Sequence, residues 1–421
     1  MFVGRKGTSV TRHETGGGWR RVAAALGAAL LLTVGCAHGG GGGGGGGGGS
    51  TTSTSSSPPT TVPEPWTGTL AQFYEVPDPL PEGSPGQLIR LMPVAADAAT
   101  TTVRVMYHSR DRRDVDRAVT GIVTYPNAPV PDGGWPVVSW AHGTTGLASP
   151  CAPSRAGGAA PAFGVDGVRV ATDYIGLGPV GERHSYLVGA SEAHAVVDAV
   201  RAARNLPATG AGDRWVAVGH SQGGHSALFT NELGQAYAPE LELLGTASLA
   251  PAAMFEERFG PADVVIPHMV GVMGLYGMET EYPGVEADDY VSDRVEAADD
   301  VIDTGCLDDV VSALVGIPID TFYDVSPYET EPALSILREN DPGHVAVDAP
   351  LLLVYGSADT WVVPDRVRAL YDQLCDAGQV TELAEIAGAP HTVTPAMGDR
   401  VSAWFDDRFA AVPPTDSCAS G

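Results

Sequence analysis

Ser221 sits in Gly219-His220-Ser221-Gln222-Gly223, between a β-prone run, Trp215 to Val218, and a helical pattern that begins at Gly224. The stretch fits Gly-x-Ser-x-Gly. A strand that turns this sharply into a helix requires small residues on both sides of the serine, because larger side chains would collide with the neighbouring strand or helix. Such a turn lifts a hydroxyl to the end of a strand, where it can attack an acyl carbon. Serine is a weak nucleophile at its own pKa and needs a base within hydrogen-bond reach. The only lysine of the chain is Lys6, close to the first residue. A Ser–Lys pair, a Schiff-base lysine and a phosphate-loop lysine are therefore excluded for the folded part, and the base must be a histidine.

Two later segments supply candidates in a consistent order. Leu351 to Tyr355 reads as a strand running into Gly356-Ser357-Ala358-Asp359, which puts Asp359 just past a strand end. His391 follows the last strand-like run in Gly388-Ala389-Pro390-His391-Thr392. Nucleophile, acid and histidine thus come in the order Ser221, Asp359, His391, which is that of an α/β-hydrolase and differs from other serine hydrolases. In that constellation His391 takes the serine proton and Asp359 fixes the imidazole tautomer. Backbone N–H groups of Gln222 and of the Gly143-Thr144 turn are expected to hold the oxyanion, with the Thr144 hydroxyl as a third donor. The other polar candidates read as structural. His344 and His184 are expected to line loops or cap helices, His142 and His220 to pack beside the donors and the nucleophile, and Asp173 and Tyr174 to open a loop near the same edge.

The elements that must carry these residues alternate. Val103–Tyr107 and Gly121–Tyr125 read as an antiparallel entry to a sheet. Trp135 to Trp140, Val168 to Thr172, Trp215 to Val218, Leu243 to Leu249, Leu351 to Tyr355 and Glu382 to Ile386 follow as strands, separated by helical patterns such as Ser191 to Arg204, 364–377 and 394–409. A long glycine-rich loop is expected from Asp173 to Gly189. Alternation of this kind predicts a mostly parallel α/β sheet with helices on both faces. Between Ala252 and Asp348 it breaks: the stretch is acidic and contains an apolar run from Val264 to Tyr276. It is too long for a structureless loop and is expected to be a helical lid or cap, spanning 252–348, inserted over the active-site edge.

The beginning of the chain reads as an export signal. Arg5, Lys6, Arg12, Arg20 and Arg21 precede an apolar run from Val22 to Val34, too short to span a bilayer as a stable helix. It ends at Gly35-Cys36, which suits lipoprotein processing over 1–35 and acylation of Cys36. Eleven glycines, Gly39 to Gly49, and a Ser/Thr/Pro-rich stretch follow. A segment that buries nothing cannot offset its own ordering entropy, so 36–65 is expected to be a tether and 66–421 the folded domain. The expected partner surface is the outer leaflet of a membrane, reached through lipidated Cys36. Without residues 1–35 the chain carries 19 Lys+Arg against 50 Asp+Glu, about −31, which argues against nucleic acid. No protein partner is indicated. Four further cysteines, Cys151, Cys306, Cys375 and Cys418, are expected to form two disulfides in an exported chain, with three pairings open. None has CxxC spacing and no histidines cluster beside them, so neither a metal nor a redox cofactor is implied.

Trp140-Ala141-His142-Gly143-Thr144-Thr145-Gly146, Cys151-Ala152-Pro153-Ser154, Asp173-Tyr174-Ile175-Gly176-Leu177-Gly178 and the Gly219–Gly223 pentapeptide together resemble the secretory lipase family, the group that includes the fungal lipase A type. The likeness runs over roughly residues 70 to 410. It implies an α/β-hydrolase core with a helical lid and cofactor-free hydrolysis of acyl esters, triacylglycerols or related lipids, on a triad carried over to Ser221, Asp359 and His391. It also implies the pairings Cys151–Cys306, tying lid to core, and Cys375–Cys418, pinning the tail. His220 departs from the family, which commonly has an aromatic residue there. An acyltransferase, a peptidase and a catalytically silent surface lipoprotein are the alternative uses of the same fold.

Overall fold

A computed structural model of the chain describes residues 62–255 and 265–420. Strands β1 (Leu88–Ala96), β2 (Thr100–Arg110), β3 (Asp116–Pro126), β4 (Trp135–Ala141), β5 (Val168–Thr172), β6 (Ala211–His220), β7 (Glu242–Leu249), β8 (Leu351–Gly356) and β9 (Thr381–Ile386) make one sheet. Their order is β1-β2-β3-β5-β4-β6-β7-β8-β9. The first three strands and the β3–β5 pair are antiparallel, and β5, β4, β6, β7, β8 and β9 run parallel. The expected antiparallel entry is present as β2 and β3. One strand was not expected: β1 adds an antiparallel edge, and Pro65 makes an isolated parallel bridge to its Leu91.

Side chains alternate across a strand, so a strand covered on both faces is apolar throughout. β8 shows this. All six of its residues are buried. Leu351, Leu353 and Tyr355 pack toward the helix Pro364–Ala377 through Val367, Leu370 and Leu374. Leu352 and Val354 pack toward the helix Pro395–Phe409 through Met397, Val401, Trp404 and Phe405. In β6 the split is the same, with Trp215 and Ala217 facing the helix Gly189–Arg204 and Val216 and Val218 facing the opposite layer. Each large apolar side chain buried in this way contributes roughly 1.5–3 kcal/mol.

Between β7 and β8 the described residues contain helices and no sheet strand: Val265–Glu279, Asp293–Glu296, Asp299–Thr304, Leu307–Leu314 and Ala333–Glu339. They share one hydrophobic cluster with Leu147, Tyr186, Leu187 and Val188, which come from loops at the carboxyl edge of the sheet. The insertion is therefore fastened to the edge where β4, β5 and β6 end. Cys151 is bonded to Cys306, and Cys375 to Cys418. Both pairings match those implied by the family resemblance. The second brings the tail alongside the edge strand β9, where Ser417 N–H donates to the Thr381 carbonyl at 2.9 Å. The leader, Cys36 and the glycine run lie outside the described residues. No described helix is long and apolar enough to cross a membrane.

Candidate active site

β6 ends at His220, and Ser221 serves as N-cap of the helix Gln222–Tyr237 with φ 59° and ψ −116°. A non-glycine residue held in a sparsely populated region of this kind costs about 1–3 kcal/mol and persists only where its surroundings over-determine it. They do so here. Ser221 N–H donates to the Leu249 carbonyl at 2.9 Å, and the Ser221 carbonyl accepts from Ala252 N–H at 3.2 Å and His225 N–H at 3.1 Å. The two glycines of the pentapeptide are fixed by contact distance. A Cβ on Gly219 would lie 1.9 Å from the Gly223 carbonyl oxygen, and one on Gly223 would lie 2.0 Å from the Ala141 oxygen.

Asp359 and His391 come from the loops after β8 and β9, the two strands beyond β7. Ser221 Oγ donates to His391 Nε2 at 3.0 Å, and His391 Nδ1 donates to Asp359 Oδ2 at 2.8 Å. The other carboxylate oxygen of Asp359 accepts from Trp361 N–H at 2.9 Å and Val362 N–H at 3.0 Å, so the acid cannot rotate away from the ring. The Trp361 ring packs against His391 with centroids 4.9 Å apart. On the other side His220 Nε2 donates to the His391 carbonyl at 2.6 Å. Burial first, then the neighbouring His391, pushes His220 down to about 4. It is neutral at neutral pH and places no fixed positive charge beside a ring that must accept a proton.

Gln222 is the first residue of its helix, so its N–H has no intrahelical acceptor and points out of the positive end of the helix dipole. Gly143, just after β4, lies against the same corner: a Cβ there would be 3.3 Å from the His220 carbonyl oxygen and 3.6 Å from Ser221 Cβ. Thr144 Oγ1 shares a hydrogen bond of 2.6 Å with the Tyr186 hydroxyl. The loop is stitched to the helical insertion as well. Gly146 bridges Cys306, and Leu307 N–H donates to the Thr145 carbonyl at 2.9 Å. Ser221, Asp359, His391, Gln222 and Gly143 thus meet in one place.

The remaining candidates divide. His344 is exposed, in the loop that follows the helix Ala333–Glu339. Asp173 is buried and accepts from Thr120 Oγ1 at 2.6 Å, from Ser154 N–H at 2.9 Å and from the Ser154 hydroxyl. Burial raises its carboxyl above the usual range; its role is to lock the Cys151–Ser154 segment to β3. Tyr174 donates to the His142 carbonyl at 2.8 Å and so supports the loop carrying Gly143. His184 is not at the surface of its loop but fully buried, with the side chain of Gln222 bonded to it. No group of three or more His, Cys, Asp or Glu suited to a metal occurs among the described residues.

A sequence profile of the secretory lipase family matches residues 165–417. The chain belongs to the secretory lipase family. Two solved structures share the fold of this family member. Candida antarctica lipase A in its closed state superposes with a TM-score of 0.67 at 18% identity, over 82% of this chain and 86% of that one. The rice cell wall degrading esterase LipA from Xanthomonas oryzae gives 0.63 at 20% identity, over 78% and 97%. A probable inactive lipase of Mycobacterium tuberculosis is 25% identical over 243 residues, and the chain spans about half the length of that curated relative, 51%. The family and the fold are those of lipase- and esterase-type hydrolases, and family and disulfides together are consistent with export.

A small pocket of about 40 Å³ lies beside Ser221 and His391, lined by Pro251, Ala252, Ile266, Pro267, Val270 and Trp361. Apart from Ser221, His391 and Arg366 its lining is apolar, as an acyl group requires. The Pro251–Ala253 wall is held from behind by Asp341, whose Oδ1 accepts from Met254 N–H at 2.6 Å. Burial pushes the Asp341 carboxyl up to about 6, against hydrogen bonds from Met254 and Phe255 that act downward. The folded chain therefore holds this proton more tightly than the unfolded chain, where a carboxyl titrates near 3.9. Stability contributed by the protonated form is complete below about pH 4 and is lost as pH rises through about 6. Thermal unfolding of wild type and Asp341→Asn between pH 4 and 7 is expected to show the wild type losing ground to the variant as pH rises. A difference independent of pH would show that Asp341 is ionised throughout.

Proposed function

We propose that the chain is a serine carboxylic-ester hydrolase of lipase or esterase type, acting on acyl esters of lipids through an acyl-enzyme. The observation that carries this reading is the relay Asp359–His391–Ser221, with steps of 2.8 and 3.0 Å, opening on an apolar cavity. Ser221 Oγ attacks the ester carbonyl while His391 Nε2 takes its proton. The tetrahedral oxyanion is held by the N–H groups of Gln222 and Gly143, with the Thr144 hydroxyl as a further donor. Collapse expels the alcohol, which receives the proton from His391, and leaves the acyl group on Ser221. Water, deprotonated by the same imidazole, then releases the acid. Asp359 stays ionised and stabilises the imidazolium. No cofactor enters any step.

A second reading is supported by the Mycobacterium relative, a probable inactive lipase: a silent protein that kept the fold. The two separate on a series of p-nitrophenyl esters from short to long acyl chains, with Ser221→Ala as control. Wild type is expected to turn over part of the series and the variant to fall by about 10⁴-fold or more. Equal, slow hydrolysis by both would leave the silent reading. Turnover confined to short chains would make the protein an esterase in place of a lipase.

A further inference from the structure

Behind the nucleophile lies a buried polar cluster that the hydrolytic steps do not use. Gln222 is 1% exposed, Glu192 1% and His184 0%. The side-chain amide of Gln222 donates one hydrogen to Glu192 Oε1 at 2.8 Å and the other to His184 Nε2 at 2.7 Å. His184 can accept there because its Nδ1 donates to the Ile175 carbonyl at 2.8 Å. Burial also pushes this ring down to about 4, so Nε2 stays bare. Glu192 is saturated in turn. Oε1 also accepts from Leu187 N–H at 3.1 Å, and Oε2 from His225 Nδ1 at 2.8 Å. His225 stands one turn after Ser221, and its Nε2 donates to the Asn340 carbonyl at 2.9 Å. The Asn340 side chain accepts from Gly189 N–H at 2.9 Å, at the start of the helix that carries Glu192.

We propose that Glu192 and His184 are positioning residues that clamp both amide hydrogens of the Gln222 side chain and thereby fix the Gln222 backbone N–H at the oxyanion site. The physical need is plain. Ser221 holds a strained backbone, and the peptide that follows it must aim its N–H at an atom that is charged only in the transition state. A donor at a fraying helix start would give up that aim, and misplacement by about 1 Å can cost about 10²-fold in rate. Clamping the side chain from two elements, the helix Gly189–Arg204 and the Asp173–Gly189 loop, holds the peptide plane without occupying its N–H.

The inference rests on the serine-hydrolase reading, and its test separates the two. The full chain is titrated with a p-nitrophenyl alkylphosphonate to count reactive serines, and kcat is expressed per reactive site. Affinity for an alkyl trifluoromethyl ketone, which adds to the serine and presents an oxyanion, is measured alongside. Glu192→Leu and Gln222→Met are each expected to lower kcat about 10- to 100-fold and to weaken the ketone by the same factor, with KM within about threefold. Their double variant is expected to be no worse than the poorer single one, since both remove the same clamp. Glu192→Gln should restore the rate to within about threefold: the glutamine keeps an oxygen for Leu187 and Gln222, and its NH₂ faces His225 Nδ1, which then accepts while Nε2 still donates to the Asn340 carbonyl. If Glu192→Leu fails to fold, Gln222→Met carries the test alone.

Variants that lose melting temperature and reactive sites, but keep the per-site kcat and the ketone affinity of wild type, would overturn the clamp. So would fully additive losses in the double variant. A wild-type chain that the phosphonate fails to label would instead sink the hydrolase reading, and the clamp with it.

Discussion

Replacing Asp359 by asparagine is expected to cut ester turnover about 10⁴-fold while leaving the fold and the phosphonate-accessible cavity in place. The size of the effect follows from which oxygen is free. Asp359 Oδ1 accepts from two backbone N–H groups, those of Trp361 and Val362, at 2.9 and 3.0 Å. Only an oxygen satisfies that position, so an asparagine must direct its NH₂ at His391 Nδ1. The ring is then forced to carry its proton on Nε2, 3.0 Å from Ser221 Oγ. A protonated Nε2 cannot accept from the serine. Recovery of activity at alkaline pH, where the serine loses its proton without help, would be the accompanying sign. A variant within tenfold of wild type would show that His391 is not the base.

Removing the Cys151–Cys306 bridge is the second large change, and it reaches both stability and rate. The bridge closes 155 residues, for which the chain-entropy account gives up to about 5 kcal/mol. The bridge Cys375–Cys418 closes 43 and gives up to about 4 kcal/mol. The two differ in what they hold. Cys306 pairs with Gly146, and its neighbour Leu307 bonds to Thr145, directly beside the proposed oxyanion donors. The Cys375–Cys418 bond holds a tail on the far edge of the sheet. Cys151→Ser/Cys306→Ser should therefore lower the melting temperature and reduce kcat by up to about 10². Cys375→Ser/Cys418→Ser should lower the melting temperature and leave kcat within about twofold. Equal effects on kcat from the two pairs, measured per reactive serine, would contradict this division.

Much of the core could be read directly from the residues. β8 is a continuous apolar run because both of its faces are covered, and the elbow is short, local and rich in residues that nothing else explains. Given that strand and that elbow, the position of Asp359 and His391 follows from the order of the chain. Other parts could not be read. β1 contains Arg90 and Pro93 and has two register irregularities; it tolerates them because it lies at an edge, and the same features hide it. The insertion could be read as helical from its apolar run, now the helix Val265–Glu279, but its shorter helices, down to four residues, have no sustained period to betray them. Glu192 sits in the first turn of a helix, where an acid ordinarily faces solvent and the dipole. Its burial is decided by Gln222 and His225, 30 and 33 residues away. His184 escaped for the same reason: a histidine in a glycine-rich loop gives no sign that the loop folds inward.

The chain order of the relay has a consequence for how the protein comes into being. The serine and its histidine are separated by 170 residues, and β9 pairs only with β8 in the sheet. Long-range pairings of this kind form late, after loop closure has been achieved. During synthesis the elbow can be complete while its base has not yet been made, so the growing chain carries a serine that cannot react. In the proposed mechanism, hydrolysis starts only when β9 docks and brings His391 with it. On the proposed reading, latency is thus written into the order of the chain itself.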